Sequence, residues 1–305
     1  MSTAGRGAGP EPGLVVVDKP SGWTSHDVVA KLRRMAGTRK VGHAGTLDPM
    51  ATGVLVAGIG KATRLLGSLA AGDKAYTATI RLGQATSTDD AEGEIISAAP
   101  AARLTPAALP DEAVRAAAAK LTGTIRQVPP QVSAVQVGGE RAYRMARAGR
   151  RVDLAAREVT VHAFEIRTIR RDAADGTVDL DVSVVCSSGT YIRALARDLG
   201  ESLAVGGHLT ALRRTRSGPF TQAGARTLDQ LAGSFQVIPL AEAAAAAFPR
   251  RDVTAEEAER VAHGGALPAA GAGPGPVAVF GPDGAFLALA ADSGATARPV
   301  AVFVP

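Results

Sequence analysis

Strict alternation of apolar and polar side chains marks two stretches of the chain. Over residues 177–185, Val178, Leu180, Val182 and Val184 fall on one side, with Asp179, Asp181 and Ser183 between them. Over residues 74–82, Tyr76, Ala78, Ile80 and Leu82 share one side, and Thr77, Thr79 and Arg81 the other. A period of two predicts strands with one buried face. Apolar runs at residues 14–18 and in GVLVAGIG predict further strands, and KATRLLGSLA predicts a short helix. Helical spacing appears in Val28, Leu32 and Met35, with Ser25 or Asp27 placed to cap the start. It recurs in Val114, Ala118 and Leu121, and in the stripe Ile192, Leu195, Leu199 and Leu203. This order of elements predicts an α+β fold with antiparallel or mixed strands.

The pattern changes near residue 240. AEAAAAAFPR reads as a linker-like run, and VTAEEAERVAHGGALP as a helix stopped at Gly264 and Gly265. PVAVFGPDGAFLALA is a hairpin around Pro-Asp-Gly, and PVAVFVP a final strand. The expected organisation is a disordered tail at 1–12, a main domain at 13–232, a linker at 233–249 and a small β-barrel at 250–305. Few contacts are expected across the linker, so a chain ending near Phe248 is expected to fold.

Composition narrows the classes. Hydrophobic residues make up 46% of the 305, enough for a sizeable core, and no apolar run reaches the length of a membrane span. MSTAGRGAGPEPG has no apolar segment of a signal peptide, so a cytoplasmic protein is expected. Cys186 is the single cysteine, which excludes an internal disulfide. His26, His43, His162, His208 and His263 are scattered, and no metal or organic cofactor is expected. The net charge of +5 points weakly to a polyanionic partner. Its arginines cluster. RAYRMARAGRR holds Arg141, Arg144, Arg147 and Arg150 at helical i, i+3 spacing, followed by Arg151, and LRRTR holds Arg213, Arg214 and Arg216. A charge run is usually a solvated face, and aromatics at 4% argue against a platform that stacks several bases.

One acid stands out. In HAGTLDPMATGVL, Asp48 sits among small and apolar residues. Asp before Pro commonly opens a helix as its N-cap, and that is the plain reading. A phosphate loop in AGIGKAT fails, because Ala62 follows Lys61 where Ser or Thr is needed. An aspartyl-phosphate signature ending in Asp-Gly-Thr-Leu fails as well, because Ala44 and Gly42 stand where its acids belong.

The whole segment GHAGTLDPMATGVLVAGIGKATRLL resembles the catalytic segment of the TruB-type tRNA pseudouridine synthases. DKPSGWTSHDVV, KAYTATIRLGQATSTDDAEGEI, VPPQVSAVQVGGERAYRMAR, SSGTYIRALARDLGESL and HLTALRRTRSGPF resemble its other blocks, in family order from residue 14 to about 232. The resemblance implies the pseudouridine synthase fold, with a mixed, largely antiparallel sheet flanked by helices. The C-terminal part resembles the PUA-like, RNA-binding domain of bacterial members. The implied reaction isomerises uridine 55 in the T-arm of tRNA, without a cofactor. An ionised carboxylate suits such a step, since it can attack the nucleotide and leave again. By the same resemblance Asp48 is the nucleophile, Arg193 pairs with it, and Tyr76 stacks on the target base with its hydroxyl near the C5 proton. Tyr191 and Leu212 line the substrate pocket, and His43 touches loop nucleotides. Lys19 and Pro20 support the active-site loop. The two arginine clusters, Arg141 to Arg151 and Arg213 with Arg214, are expected on the RNA backbone. A stand-alone monomer is expected. A non-catalytic RNA-binding or tRNA-folding module is the competing class. A guide-dependent relative would carry a larger C-terminal extension than this chain shows.

Overall fold

The computed structural model describes residues 11–133, 136–137, 139–141, 145, 153–172, 176–273 and 275–304. The chain forms two compact units, one of residues 1–49, 53–72 and 217–305 and the other of residues 50–52 and 73–216.

In the second unit the strands run side by side in the order Gly207–Ser217, Lys74–Leu82, Thr177–Cys186, Arg157–Asp172, Gly123–Gln127. The last three pairings are antiparallel. An isolated parallel bridge, Asp90 with Leu209, lies outside these pairings. The alternation in the sequence becomes one buried face. Val178, Leu180, Val182 and Val184 are all buried. Leu180 lies opposite Ile80, Val182 opposite Ala78, Val184 opposite Tyr76 and Cys186 opposite Lys74. Directly opposed residues share a face, so the aliphatic row Leu82, Ile80, Ala78 ends in Tyr76 and Lys74. On the other face Arg81 donates two hydrogen bonds to Asp179, at 2.8 and 2.9 Å. The helices Asp111–Ala119 and Ile192–Ser202 pack on this sheet and on each other.

In the first unit the strand Gly13–Lys19 lies between Ile238–Pro239 and Thr52–Ile59, which also pairs with Val41–Ala44. The helix Ser25–Met35 buries Val28, Val29 and Leu32. Its cap is Thr24, in a capping box with Asp27, rather than Ser25 or Asp27. Thr24 Oγ accepts from Asp27 N at 3.1 Å, and Asp27 accepts from Thr24 N at 2.8 Å. Ser25 is thereby released for another task.

The C-terminal part is a PUA-like five-stranded sheet, in the order Arg250–Asp252, Val277–Phe280, Phe286–Ser293, Thr296–Val302, Leu267–Pro268. The approach to it has regular structure of its own. The alanine run forms the helix Leu240–Ala247 and buries Ala243 and Ala244. Those alanines, with Phe280, Phe286 and Phe303, join one apolar cluster with Leu14, Val16, Val54 and Val56. Alanine is small enough for close packing and has the highest helix propensity, so a run that looks like a spacer becomes a packed element.

Candidate active site

The site is built around the loop between the strands Val41–Ala44 and Thr52–Ile59. Gly45 (φ 87°) and Gly53 (φ 97°) bracket the turn in left-handed conformations that a side chain would oppose. Asp48 lies between them, half-buried. No helix follows it; the chain bends and enters a strand, so the N-cap reading of Asp48 falls.

Both neighbours of Asp48 are pinned from inside the unit. Ser25 Oγ accepts from Leu47 N at 2.9 Å and donates to Leu47 O at 3.2 Å. Lys19 is 0% exposed. Its ammonium donates to Pro49 O at 3.1 Å, Pro20 O at 3.0 Å and Trp23 O at 2.5 Å. Gly22 N adds a bond to Pro49 O at 2.9 Å. A buried ammonium is tolerated only when its donors are used, so Lys19 works as a structural bolt on this loop. The sequence pointed to Lys19; Ser25 it offered only as a cap. His43 is half-buried on the strand before the loop, edge-on to His26 at 5.8 Å between ring centres.

In the second unit, Tyr76 stands half-buried at the end of the aliphatic row, and Leu212 is buried on the strand Gly207–Ser217. Tyr191 precedes the helix Ile192–Ser202, and its backbone is gripped by buried Gln127. Gln127 Oε1 accepts from Tyr191 N at 2.8 Å, and Gln127 Nε2 donates to Tyr191 O at 3.1 Å. Nothing in the local sequence singles out this glutamine.

Arg193 is 3% exposed. It donates to Thr88 O at 2.9 Å and Val132 O at 2.8 Å, and its Nε lies 3.5 Å from Asp90 Oδ2. One turn on, Arg197 meets Asp89 at 3.1 Å and donates to Val128 O at 2.8 Å. Burial raises the pKa of Asp89 against the pull of Arg197 and Arg193. The signal for these acids was present but unused: two adjacent aspartates, and two arginines four apart in RALAR.

Lys74 is 5% exposed. Its pKa is lowered to about 8, chiefly by burial and then by the Arg214 cation. Cys186 opposite is pushed up to about 11 by burial. Arg214 is 1% exposed, so its guanidinium does not stand on a solvated face. Arg213 is half-buried and donates to Thr52 Oγ at 3.4 Å. Arg141 belongs to the short strand Glu140–Arg141 rather than to a helical row. Arg144, Arg147, Arg150 and Arg151 lie outside the described residues. Among the described residues, no group of three or more His, Cys, Asp or Glu is arranged to hold a metal, and no helix is long and apolar enough to cross a membrane.

Residues 33–192 match the N-terminal domain of the TruB family of pseudouridylate synthases. Residues 193–242 match the C-terminal domain described for tRNA pseudouridylate synthase B, and residues 248–304 the C-terminal part of tRNA pseudouridine synthase II. The tRNA pseudouridine synthase B of Thermobifida fusca is 63% identical over 293 residues, covering 95% of this chain and 98% of the relative. That of Arthrobacter sp. strain FB24 is 58% identical over 302 residues, covering 96% and 97%. Among solved structures, a chain of a Cbf5–Nop10–Gar1 complex matches with a TM-score of 0.73 at 27% identity, covering 96% of this chain and 85% of the other.

Proposed function

The chain belongs to the TruB family of pseudouridylate synthases, and from that premise we propose that it converts uridine 55 in the T-loop of tRNA to pseudouridine, with Asp48 as nucleophile. The names of its relatives support tRNA as the substrate. The observation that carries the assignment of Asp48 is the bolted loop. Leu47 and Pro49 are each held by a buried side chain, Ser25 and Lys19, while the acid between them is left on the half-buried side.

In the reaction the C1′–N1 bond breaks and a C1′–C5 bond forms; C5 loses a proton and N1 gains one. Nothing enters or leaves overall, so a nucleophile that can depart and a group that moves protons suffice. Asp48 takes the first role. Tyr76 stacks on the base, with its hydroxyl placed for the C5 proton. Arg193 balances the charge of Asp48. Tyr191 and Leu212 line the pocket, and His43 meets the loop nucleotides beside the extruded base. Arg141, Arg144, Arg147, Arg150, Arg151 and Arg213 meet the RNA backbone, as does the PUA-like sheet, and the protein works as a monomer.

The test uses the purified protein, alone, on an unmodified T-arm stem-loop, with pseudouridine mapped by chemical sequencing. The Asp48→Asn variant, nearly isosteric, is expected to bind tRNA within about tenfold of wild type, or about 1.4 kcal/mol. Its conversion is expected to fall at least ~10⁴-fold, or ~5.4 kcal/mol. Appreciable turnover by Asp48→Asn removes the nucleophile role. Wild-type protein that binds the stem-loop and never converts it is an RNA-folding module, and protein that converts it only with added guide RNA or partner proteins belongs with the guide-dependent relatives.

A further inference from the structure

The helix Ile192–Ser202 begins differently from three others. Ser25–Met35, Leu228–Gly233 and Ala255–Ala262 open with Thr24, Thr227 and Thr254, each in a capping box. Here the N-cap position holds Tyr191, extended at φ −101° and ψ 112°, which makes no side-chain cap hydrogen bond. The first turn carries no acid either. Short hydroxyl, amide and carboxylate side chains are preferred at an N-cap because they accept from the first free amides, and a phenol ring does not reach back that way. A ring placed against this local rule points to a use for the ring elsewhere.

A side chain from far along the chain supplies what the local sequence lacks. Gln127 closes the strand Gly123–Gln127, the outermost of its sheet, and is 1% exposed. Its amide meets Tyr191 twice, Oε1 accepting from N at 2.8 Å and Nε2 donating to O at 3.1 Å. Antiparallel strands hold a residue in the same two-way exchange, made here by a side chain. Tyr191 O also accepts from Leu195 N at 3.2 Å, a bond of the helix itself. Both peptide groups of Tyr191 are thus fixed, and with them the direction in which its side chain leaves the backbone.

The segments on either side are tied down as well. Ahead of Tyr191, Thr190 Oγ donates to Ser187 O at 3.0 Å. Ser187 N donates to Thr160 O at 2.8 Å, and Ser187 Oγ accepts from Thr160 N at 2.9 Å. Beyond Gln127 come the buried Pro129 and Pro130, whose rings fix φ. The same run returns to the helix, where Val132 O accepts from Arg193 and Val128 O from Arg197, each at 2.8 Å. The glutamine therefore cannot follow a displaced tyrosine; it sets where the tyrosine stands.

We propose that Gln127 is a positioning residue of the isomerase, taking the place of the missing cap and holding the Tyr191 backbone so that its ring keeps one place in the uridine pocket. Gln127 acts through Tyr191 and not on the RNA. The proposal rests on the reading of Tyr191 as a pocket residue.

The test measures kcat/KM on the unmodified stem-loop with full-length variants, well below the thermal midpoint of each. Gln127→Met keeps the length of the side chain and removes both hydrogen bonds. It is expected to lower kcat/KM about tenfold, a fraction of the ~10²-fold that a ~1 Å misplacement can cost. A double-mutant cycle then decides how. In Tyr191→Ala the ring is gone, so adding Gln127→Met is expected to change kcat/KM by less than about twofold. A merely structural role, in seating the helix or Arg193, gives the same loss in both backgrounds and overturns the proposal. Wild-type kcat/KM in Gln127→Met overturns it too.

Gln127→Glu gives a second reading with its own sign. A protonated carboxyl accepts from Tyr191 N and donates to Tyr191 O as the amide does, whereas a carboxylate cannot donate and repels that oxygen. An ordinary glutamate titrates near pH ~4.3, and burial raises it. The kcat/KM of Gln127→Glu relative to wild type is expected to rise as pH is lowered from about 8 to about 6; a flat ratio overturns the proposal. If Gln127→Met does not fold, Gln127→Glu takes its place in the cycle. Wild-type kcat/KM in Tyr191→Ala removes the pocket reading of Tyr191 itself, a failure distinct from equal losses in the two backgrounds.

Discussion

Lys74 and Cys186 oppose each other across two antiparallel strands, and both are buried. Burial moves them in opposite senses. The lysine falls from 10.5 to about 8, and the thiol rises from 9.0 to about 11. The depressed lysine contributes stability that is full above pH 10.5 and lost as pH falls through about 8. The raised thiol contributes stability that is full below pH 9 and lost as pH rises through about 11. Wild-type stability is therefore expected to rise between pH 8 and 9 and to level off above 9, where the two effects cancel. Lys74→Met removes one partner of that balance. Its thermal midpoint is expected to exceed wild type at pH 7, by the equivalent of roughly 2–3 kcal/mol, and to fall above pH 9. A variant that keeps the rise between pH 8 and 9 would show that another group titrates there.

The helix Ile192–Ser202 carries Arg193 and Arg197, so its seating on the sheet matters for the site. One residue shows how close that seating is. A Cβ on Gly200 would lie 2.2 Å from Gly206 C and 2.2 Å from Gly207 N. Both are backbone atoms, which cannot swing aside. Gly→Ala inside a helix normally stabilises by about 1 kcal/mol. Here the overlap opposes that gain, and overpacking costs roughly 1–3 kcal/mol or more. Gly200→Ala is expected to lower the thermal midpoint and kcat together, because the helix must lift to admit the methyl. A midpoint above wild type would mean that the helix slides freely.

For the chain as a whole, the C-terminal sheet is a packed part of its unit. Phe286 sits between Phe280 and Phe303, with ring centres at 5.5 and 4.7 Å, in the cluster that includes Leu14, Val16, Val54 and Val56. Arg64, from the turn Gly60–Leu65, donates to Val302 O as well. Cutting the chain after Phe248 removes three phenylalanines from that cluster, so a main domain without its C-terminal sheet is expected to lose part of its core. The truncated protein is expected to aggregate or melt well below the full chain. Phe286→Ala samples the same contact without truncation, at an expected cost of about 3–5 kcal/mol in denaturant unfolding. A cost under about 1 kcal/mol, the range of an ordinary surface substitution, would restore the picture of a loosely tethered domain.

Much of this was readable in advance. Alternation at residues 74–82 and 177–185 and the stripe from Ile192 to Leu199 determined their elements, because period-two and period-3.6 patterns report burial on one face through local geometry alone. The ordered segments around Asp48, Tyr76 and Arg193 determined the family. Other features depended on partners far away in the chain. Ser25 is a latch on Leu47 and not a cap, because Thr24 took the cap. The alanine run is a helix because a cluster was there to receive it. Arg214 is buried although its neighbours in sequence suggested a basic surface. Arg193 takes its position from Thr88, 105 residues away, and from Asp90. Local pattern sets which way a side chain faces; what an ion or a polar group then meets, and so whether its burial is stable, is decided only when distant segments pack against it.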